Sequence, residues 1–220
     1  MDSQLRTLIA VIILIVMVII GYFLYQQYKK SKNKKIGRRG EKSVARKLNA
    51  ICRKKGFRVI HDLYLPLYDK TTQIDHVVIG DFGIVAVETK ALNGEIYGSA
   101  EDECWAQVIG TKKNRHYNPL KQNAAHIDCM RHILKKDGVY VVVIDSLVVF
   151  SSKNVYLNIE KGMPVITLNL LKKYFKKPKY NKDANVDIDK VYNTLMKYRI
   201  TDKERIKAHN KNVKEMKNKF

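Results

Sequence analysis

Asp75, Glu88 and Lys90 have the side-chain types and spacing that could do chemistry. They lie in two β-rich runs, residues 73–79 and 84–90, on either side of Gly80-Asp81-Phe82-Gly83, the pattern of a hairpin. With a four-residue connection, Ile79 pairs with Ile84, Val77 with Ala86, and Asp75 with Glu88. The two carboxylates then oppose each other with Cβ atoms about 5 Å apart, and Lys90, two residues on, shares their face. Burying both uncompensated costs several kcal/mol, close to the whole stability of a domain. A hard divalent cation, Mg²⁺ or Mn²⁺, would relieve that repulsion through carboxylate and backbone oxygens. Lys90 would stand where it could orient or activate a water, which is the machinery of phosphodiester hydrolysis. Spacing alone equally allows Lys90 to be a plain ion-pair partner on a wet sheet face. The surrounding Val77, Val78, Ile79, Ile84, Val85, Ala86 and Val87 argue against a wet face.

Several elements must hold these residues. Val44, Leu48 and Ile51 recur at helical spacing after Glu41, with Gly56 as a stop. A strand over 57–65 is broken by Pro66, and Asn93-Gly94 offers a turn before a strand around 95–97. Asn118 and Pro119 read as N-cap and first residue of a second helix, with Ala125, Cys129 and Ile133 on its apolar face and Gly138 at its end. Runs 139–144 and 147–150 read as strands buried on both faces, and 165–168 as a last strand. Beyond Leu170 the chain is lysine-rich, with mostly solvated helices expected over 186–198 and 201–219. The order predicts an α/β fold, a mixed central sheet flanked by helices.

Ahead of this domain, residues 8–25 carry no charge and are long enough for one transmembrane helix. Tyr22, Tyr25 and Tyr28 cluster at its carboxyl end. Arg6 alone precedes the span, whereas Lys29, Lys30, Lys32, Lys34, Lys35, Arg38 and Arg39 follow it, so the carboxyl-terminal domain is expected in the cytoplasm of a single-pass membrane protein. The expected organisation is an anchor over 1–28, a basic linker over 29–36, the chemistry-bearing domain over 37–150, and a strand with a basic helical extension over 151–220. The net charge of +21 calls for polyanionic partners, nucleic acid or the anionic inner leaflet, and the linker could touch anionic lipid. Cys52, Cys104 and Cys129 show no zinc spacing and read as reduced thiols.

Gly40-Glu41-Lys42, then 73–78 (QIDHVV), then 83–90 (GIVAVETK), together resemble the nuclease-related domain, NERD, of the PD-(D/E)xK nuclease-like superfamily. Gly94-Glu95-Ile96-Tyr97-Gly98, Trp105, and 118–123 (NPLKQN) with His126 continue the resemblance in the same order, to about Phe150. It implies a restriction-endonuclease-like core with Asp75 and Glu88 as metal ligands, Lys90 as the lysine of the E-x-K element, and Glu41 assisting the metal or its water. It also implies substrate-binding roles for Gln122 and His126, which lie one helical turn apart. A capping network of Asn118 with Gln122 is the alternative for that pair. His76, facing away from Asp75, and Trp105 read as core residues. The function implied is a membrane-tethered, metal-dependent nuclease, with DNA the first expectation. The rival is a catalytically idle nucleic-acid-binding or scaffold domain at the membrane.

Overall fold

The computed structural model describes residues 3–67, 70–141 and 143–217. The chain divides into two units, Met1–Arg39 and Gly40–Phe220. Helix α1 (Ser3–Lys55) begins in the first. Its residues from Leu8 to Tyr25 are all exposed, and by length and composition this helix could cross a membrane, a test that a signal sequence also passes. The basic stretch 29–36 is helical, because lysine, asparagine, serine and isoleucine cost a helix only tenths of a kcal/mol each.

The second unit is built on a five-stranded mixed sheet. Its strands are β1 (Arg58–Leu67), β2 (Lys70–Gly80), β3 (Gly83–Lys90), β7 (Ile144–Phe150) and β9 (Val165–Thr167), in that spatial order. β1, β2 and β3 are antiparallel, while β7 runs parallel to both β3 and β9. Between β3 and β7 the chain makes β4 (Gly94–Gly98), β5 (Cys104–Ile109), β6 (Lys112–Tyr117) and α2 (Pro119–Lys136). With β8 (Val155–Ile159), the first three of these form a second sheet in the order β6-β5-β4-β8, beyond the single sheet expected. The chain ends in α3 (Leu171–Tyr174), α4 (Ile188–Lys197) and α5 (Lys203–Lys217).

Three apolar clusters hold the layers. Val77, Ile79, Ile84 and Ala86 pack with Cys129, Met130 and Ile133 of α2 and with Val191 and Leu195 of α4. Val78, Val85, Val87, Leu147 and Val149 pack instead with Val44, Leu48 and Cys52 of α1 and with Leu171, Tyr174 and Phe175. The third cluster joins Val148, Phe150 and Val165 to Ile96, Trp105 and Val155 of the second sheet. All three cysteines are free thiols.

Three local expectations are corrected. Pro66 does not break β1, which pairs through it (Pro66 with Thr71), since β1 is an edge strand where a missing N–H costs little. The strand expected over 139–144 begins only at Ile144; Val139 is buried as the chain climbs from the end of α2, and Val142 lies outside the described residues. α4 is not a solvated helix, because it buries Val191, Thr194 and Leu195.

Candidate active site

The β2–β3 hairpin has the expected register: Ile79 pairs with Ile84 and Val77 with Ala86. Gly80 and Gly83 pair as well, leaving Asp81 and Phe82 as the turn. Gly83 has φ +126, and a Cβ there would come within 2.3 Å of the Val143 carbonyl oxygen. That close approach lets the Ile84 N–H bond the same carbonyl at 3.0 Å, which sets β7 beside β3.

The ladder stops one step short of the acidic pair, at His76–Val87. Asp75 and Glu88 lie just past its end instead of forming a regular cross-strand pair. Asp75 Oδ2 accepts the Thr89 N–H at 2.8 Å, a bond that uninterrupted pairing would have given to the β2 backbone. Opposite Asp75 on β1 stands Asp62 at φ 53, and pairing is likewise interrupted between His61–His76 and Leu63–Ile74. Ile60 precedes this point and Leu63 and Leu65 follow it, yet all three join one cluster, so the apolar alternation of β1 shifts by one residue there. The strands turn over at the point where the acidic residues sit.

Glu88 is buried, with 4% of its side chain exposed. Its Oε1 is 2.8 Å from Lys90 Nζ, which also donates to Gln122 Oε1 at 2.8 Å. Its Oε2 is buried without a hydrogen-bond partner and stands 3.6 Å from His126 Nε2, itself unpartnered and just past hydrogen-bond length. The other ring nitrogen, Nδ1, is held by Thr72 Oγ1 at 2.9 Å. The two carboxylates therefore sit in different fields. Burial first, and then the charge of Glu88, push Asp75 well above the ordinary carboxylate range, against the opposing pull of the Thr89 N–H. Burial would raise Glu88 too, but the Lys90 ammonium and then His126 outweigh it and hold Glu88 below its ordinary value. Asp75 is thereby shifted toward its protonated form and Glu88 toward its ionised form.

α2 supplies the facing wall. The Asn118 carboxamide oxygen caps its start by accepting the Leu120 N–H at 2.9 Å, and its amide donates to Ser99, Ala100 and Asp102 carbonyls. Asn123, fully buried, ties the helix to the sheet through Ala86 O and Ser146 Oγ, both at 2.9 Å. That docking aims Gln122 and His126, one turn apart, at Lys90 and Glu88. The Gln122 side chain is engaged with Lys90, which replaces the capping alternative.

Glu41 comes from α1 and is half-buried; its charge acts on Asp75. Its approach rests on Gly40, where a Cβ would lie 2.3 Å from Ser151 Oγ and 2.9 Å from Ala91 Cβ. Tyr64 was not legible as part of this neighbourhood. Burial, and then the charges of Asp62, Glu41 and Asp75, push it up to about 12. Thr72 and Asn123 were also missed as positioning residues, since a threonine in a strand and one asparagine in a run carry no local signal. His76 lies on the other side, bonded to His61 Nδ1 at 2.9 Å, and Trp105 is core, donating to Ser99 O at 2.8 Å.

Among the described residues no three His, Cys, Asp or Glu side chains come together as a metal cluster. The donors that could hold a cation are the carboxylates of Asp75 and Glu88, with backbone carbonyls and water. The buried, unpartnered Oε2 of Glu88 beside a second carboxyl group fits a hard cation better than a soft one.

The family model for the nuclease-related domain matches residues 36–151. The chain is 33% identical over 185 residues to an uncharacterized protein of Bacillus anthracis, covering 84% of this chain and 85% of that one. No solved structure matches it. With the acidic pair, Lys90 and the Asn118-capped helix all inside the matched span, the chain belongs to the nuclease-related domain family.

Proposed function

We propose that the chain is a membrane-anchored, metal-dependent phosphodiesterase that cleaves nucleic acid, with DNA the first substrate to test. The observation that carries this reading is Glu88: a buried, ionised carboxylate with one oxygen on Lys90 and the other without a partner, next to Asp75. Asp75 and Glu88 are the residues that would hold Mg²⁺ or Mn²⁺, which when bound polarises a phosphate oxygen and lowers the pKa of a water. Lys90 uses two of its three N–H groups on Glu88 and Gln122, and the third is oriented by them to meet a phosphate oxygen or the attacking water. Gln122 and His126 hold that geometry from α2 and are the side chains nearest an incoming strand on that wall. Glu41 adds negative charge that favours a cation at Asp75.

A second reading has its own support. The Lys90–Glu88 ion pair already neutralises one carboxylate, so an idle binding domain would keep the same cluster as a structural pair. Calorimetry with Mn²⁺ on the full chain in detergent, beside cleavage of labelled DNA in Mg²⁺, separates the two. The unmodified chain should bind Mn²⁺ and cut; Asp75→Asn should lose the binding heat; Lys90→Ala should keep it and lose cleavage. No uptake of Mn²⁺ even with DNA present would leave the idle reading standing.

The exposed apolar residues of α1 and the lysines after them support one span with the carboxyl-terminal domain in the cytoplasm, where the basic stretch could meet anionic lipid. A reporter fused after Phe220 should work only as a cytoplasmic reporter; activity of an export-dependent reporter would reverse the topology.

A further inference from the structure

The four-stranded sheet turns one face to the core and the other to solvent, and its register says which residues lie on each. Ile96, Gln107 and Leu157 project to the covered face, next to Trp105. The open face carries Tyr97 on β4, Tyr156 on β8, and Lys113 and Arg115 on β6. Tyr97 is 42% exposed and Tyr156 67%, a large apolar area to leave in water. Tyr97, Ala106 and Arg115 form one row across three strands. Two strand spacings put Tyr97 and Arg115 about 10 Å apart. The small Ala106 leaves a trough between them. Tyr156 is the diagonal neighbour of Tyr97, one row along, in the row that ends at Lys113.

The Tyr97 hydroxyl donates to Glu95, the acid on this face, which holds the ring in place and occupies that carboxylate. Glu101, Asp102 and Glu103 lead into β5 at the Tyr117 end, so a polyanion is drawn to the Lys113 end.

We propose that this face binds single-stranded nucleic acid, with unpaired bases stacked on Tyr97 and Tyr156 and phosphates met by Arg115 and Lys113. Ring faces lying open on a sheet accept bases of any sequence, and paired bases inside a duplex cannot present theirs. This rests on the nucleic-acid reading above and adds the form of the substrate, but it does not require catalysis.

The test is fluorescence anisotropy on the full chain in detergent, with EDTA present, using labelled oligo(dT) of about twelve nucleotides and a duplex of the same length. Tyr97→Ala and Tyr156→Ala should each weaken oligo(dT) binding roughly fivefold or more and leave duplex binding unchanged, while Tyr156→Phe keeps full affinity. Arg115→Ala should lower the salt slope by about one. Both tyrosines are exposed, so unchanged circular dichroism is expected in every variant. Unaltered oligo(dT) affinity in Tyr156→Ala, or equal weakening for the duplex, overturns the platform. Tyrosine-dependent binding without any cleavage in Mg²⁺ would sink the phosphodiesterase reading and leave this one standing.

Discussion

In the five-stranded sheet β3 is buried at every position from Gly83 to Thr89, whereas in the four-stranded sheet β6 is exposed at five of its six. Both contain hairpins of similar length, yet charge means different things in them. In the first sheet the buried carboxylate of β3, Glu88, sits near the strand end, where Lys90, Gln122 and His126 surround it. In the second, Lys112, Lys113 and Arg115 stand in water at almost no cost, because only one face needs covering. A charge in the first sheet therefore has to be accounted for by its neighbours, and a charge in the second by its partners in solution.

The contrast is broken most severely by Val149→Asp. Val149 is fully buried on β7, and an unpaired carboxylate in its apolar cluster costs several kcal/mol, enough to consume the stability of the domain. Urea unfolding should find no cooperative transition in this variant. Glu88→Gln comes next. It removes the charge held by Lys90 and faced by His126, and should reduce cleavage by about a hundredfold or more and stability by about 1–3 kcal/mol. Single-turnover kinetics beside a urea midpoint would check both.

A smaller effect is expected from the histidines behind the hairpin. Burial, and then the neighbouring His61, lower His76 from 6.5 to about 3. The unfolded chain takes up a proton below pH 6.5 that the folded chain refuses, so this contribution is complete above 6.5 and is lost as pH falls toward 3. Between pH 7 and 5 the loss should be about 2 kcal/mol, and His76→Leu should flatten that part of the profile. An equal slope in the variant would assign the pH dependence elsewhere. The smallest effect belongs to the open sheet: Lys113→Asp should change stability by no more than about 0.5 kcal/mol while weakening oligo(dT) binding. A large loss of stability would mean that this face is not solvated as described.

Much of the hairpin was legible beforehand, because period-two alternation and a glycine-flanked turn are local signals. The register from Ile79–Ile84 to Val77–Ala86 follows from them directly. The end of the ladder did not, since Asp75 takes the Thr89 N–H through its side chain and strand periodicity has no term for that competition. The second sheet was read only as the strand around 95–97. Its β6, Lys-Lys-Asn-Arg-His-Tyr, has neither alternation nor an apolar face and is a strand because β5 offers it a partner.

The amino-acid sequence by itself determined the apolar span, the lysines after it, the Asn118 cap and the pairing of β2 with β3, all of which depend on residues within a few positions of one another. Tertiary structure alone decided that Gln122 and His126 reach Lys90 and Glu88 across more than thirty residues of chain, and that Thr72 orients His126. It alone brought the charges of Glu41, Asp62 and Asp75 to bear on Tyr64. These contacts exist because α2 and α1 must each bury an apolar face on one side of the sheet. That burial is non-directional and sums over the whole interface, so no short stretch of sequence records where its polar passengers will meet.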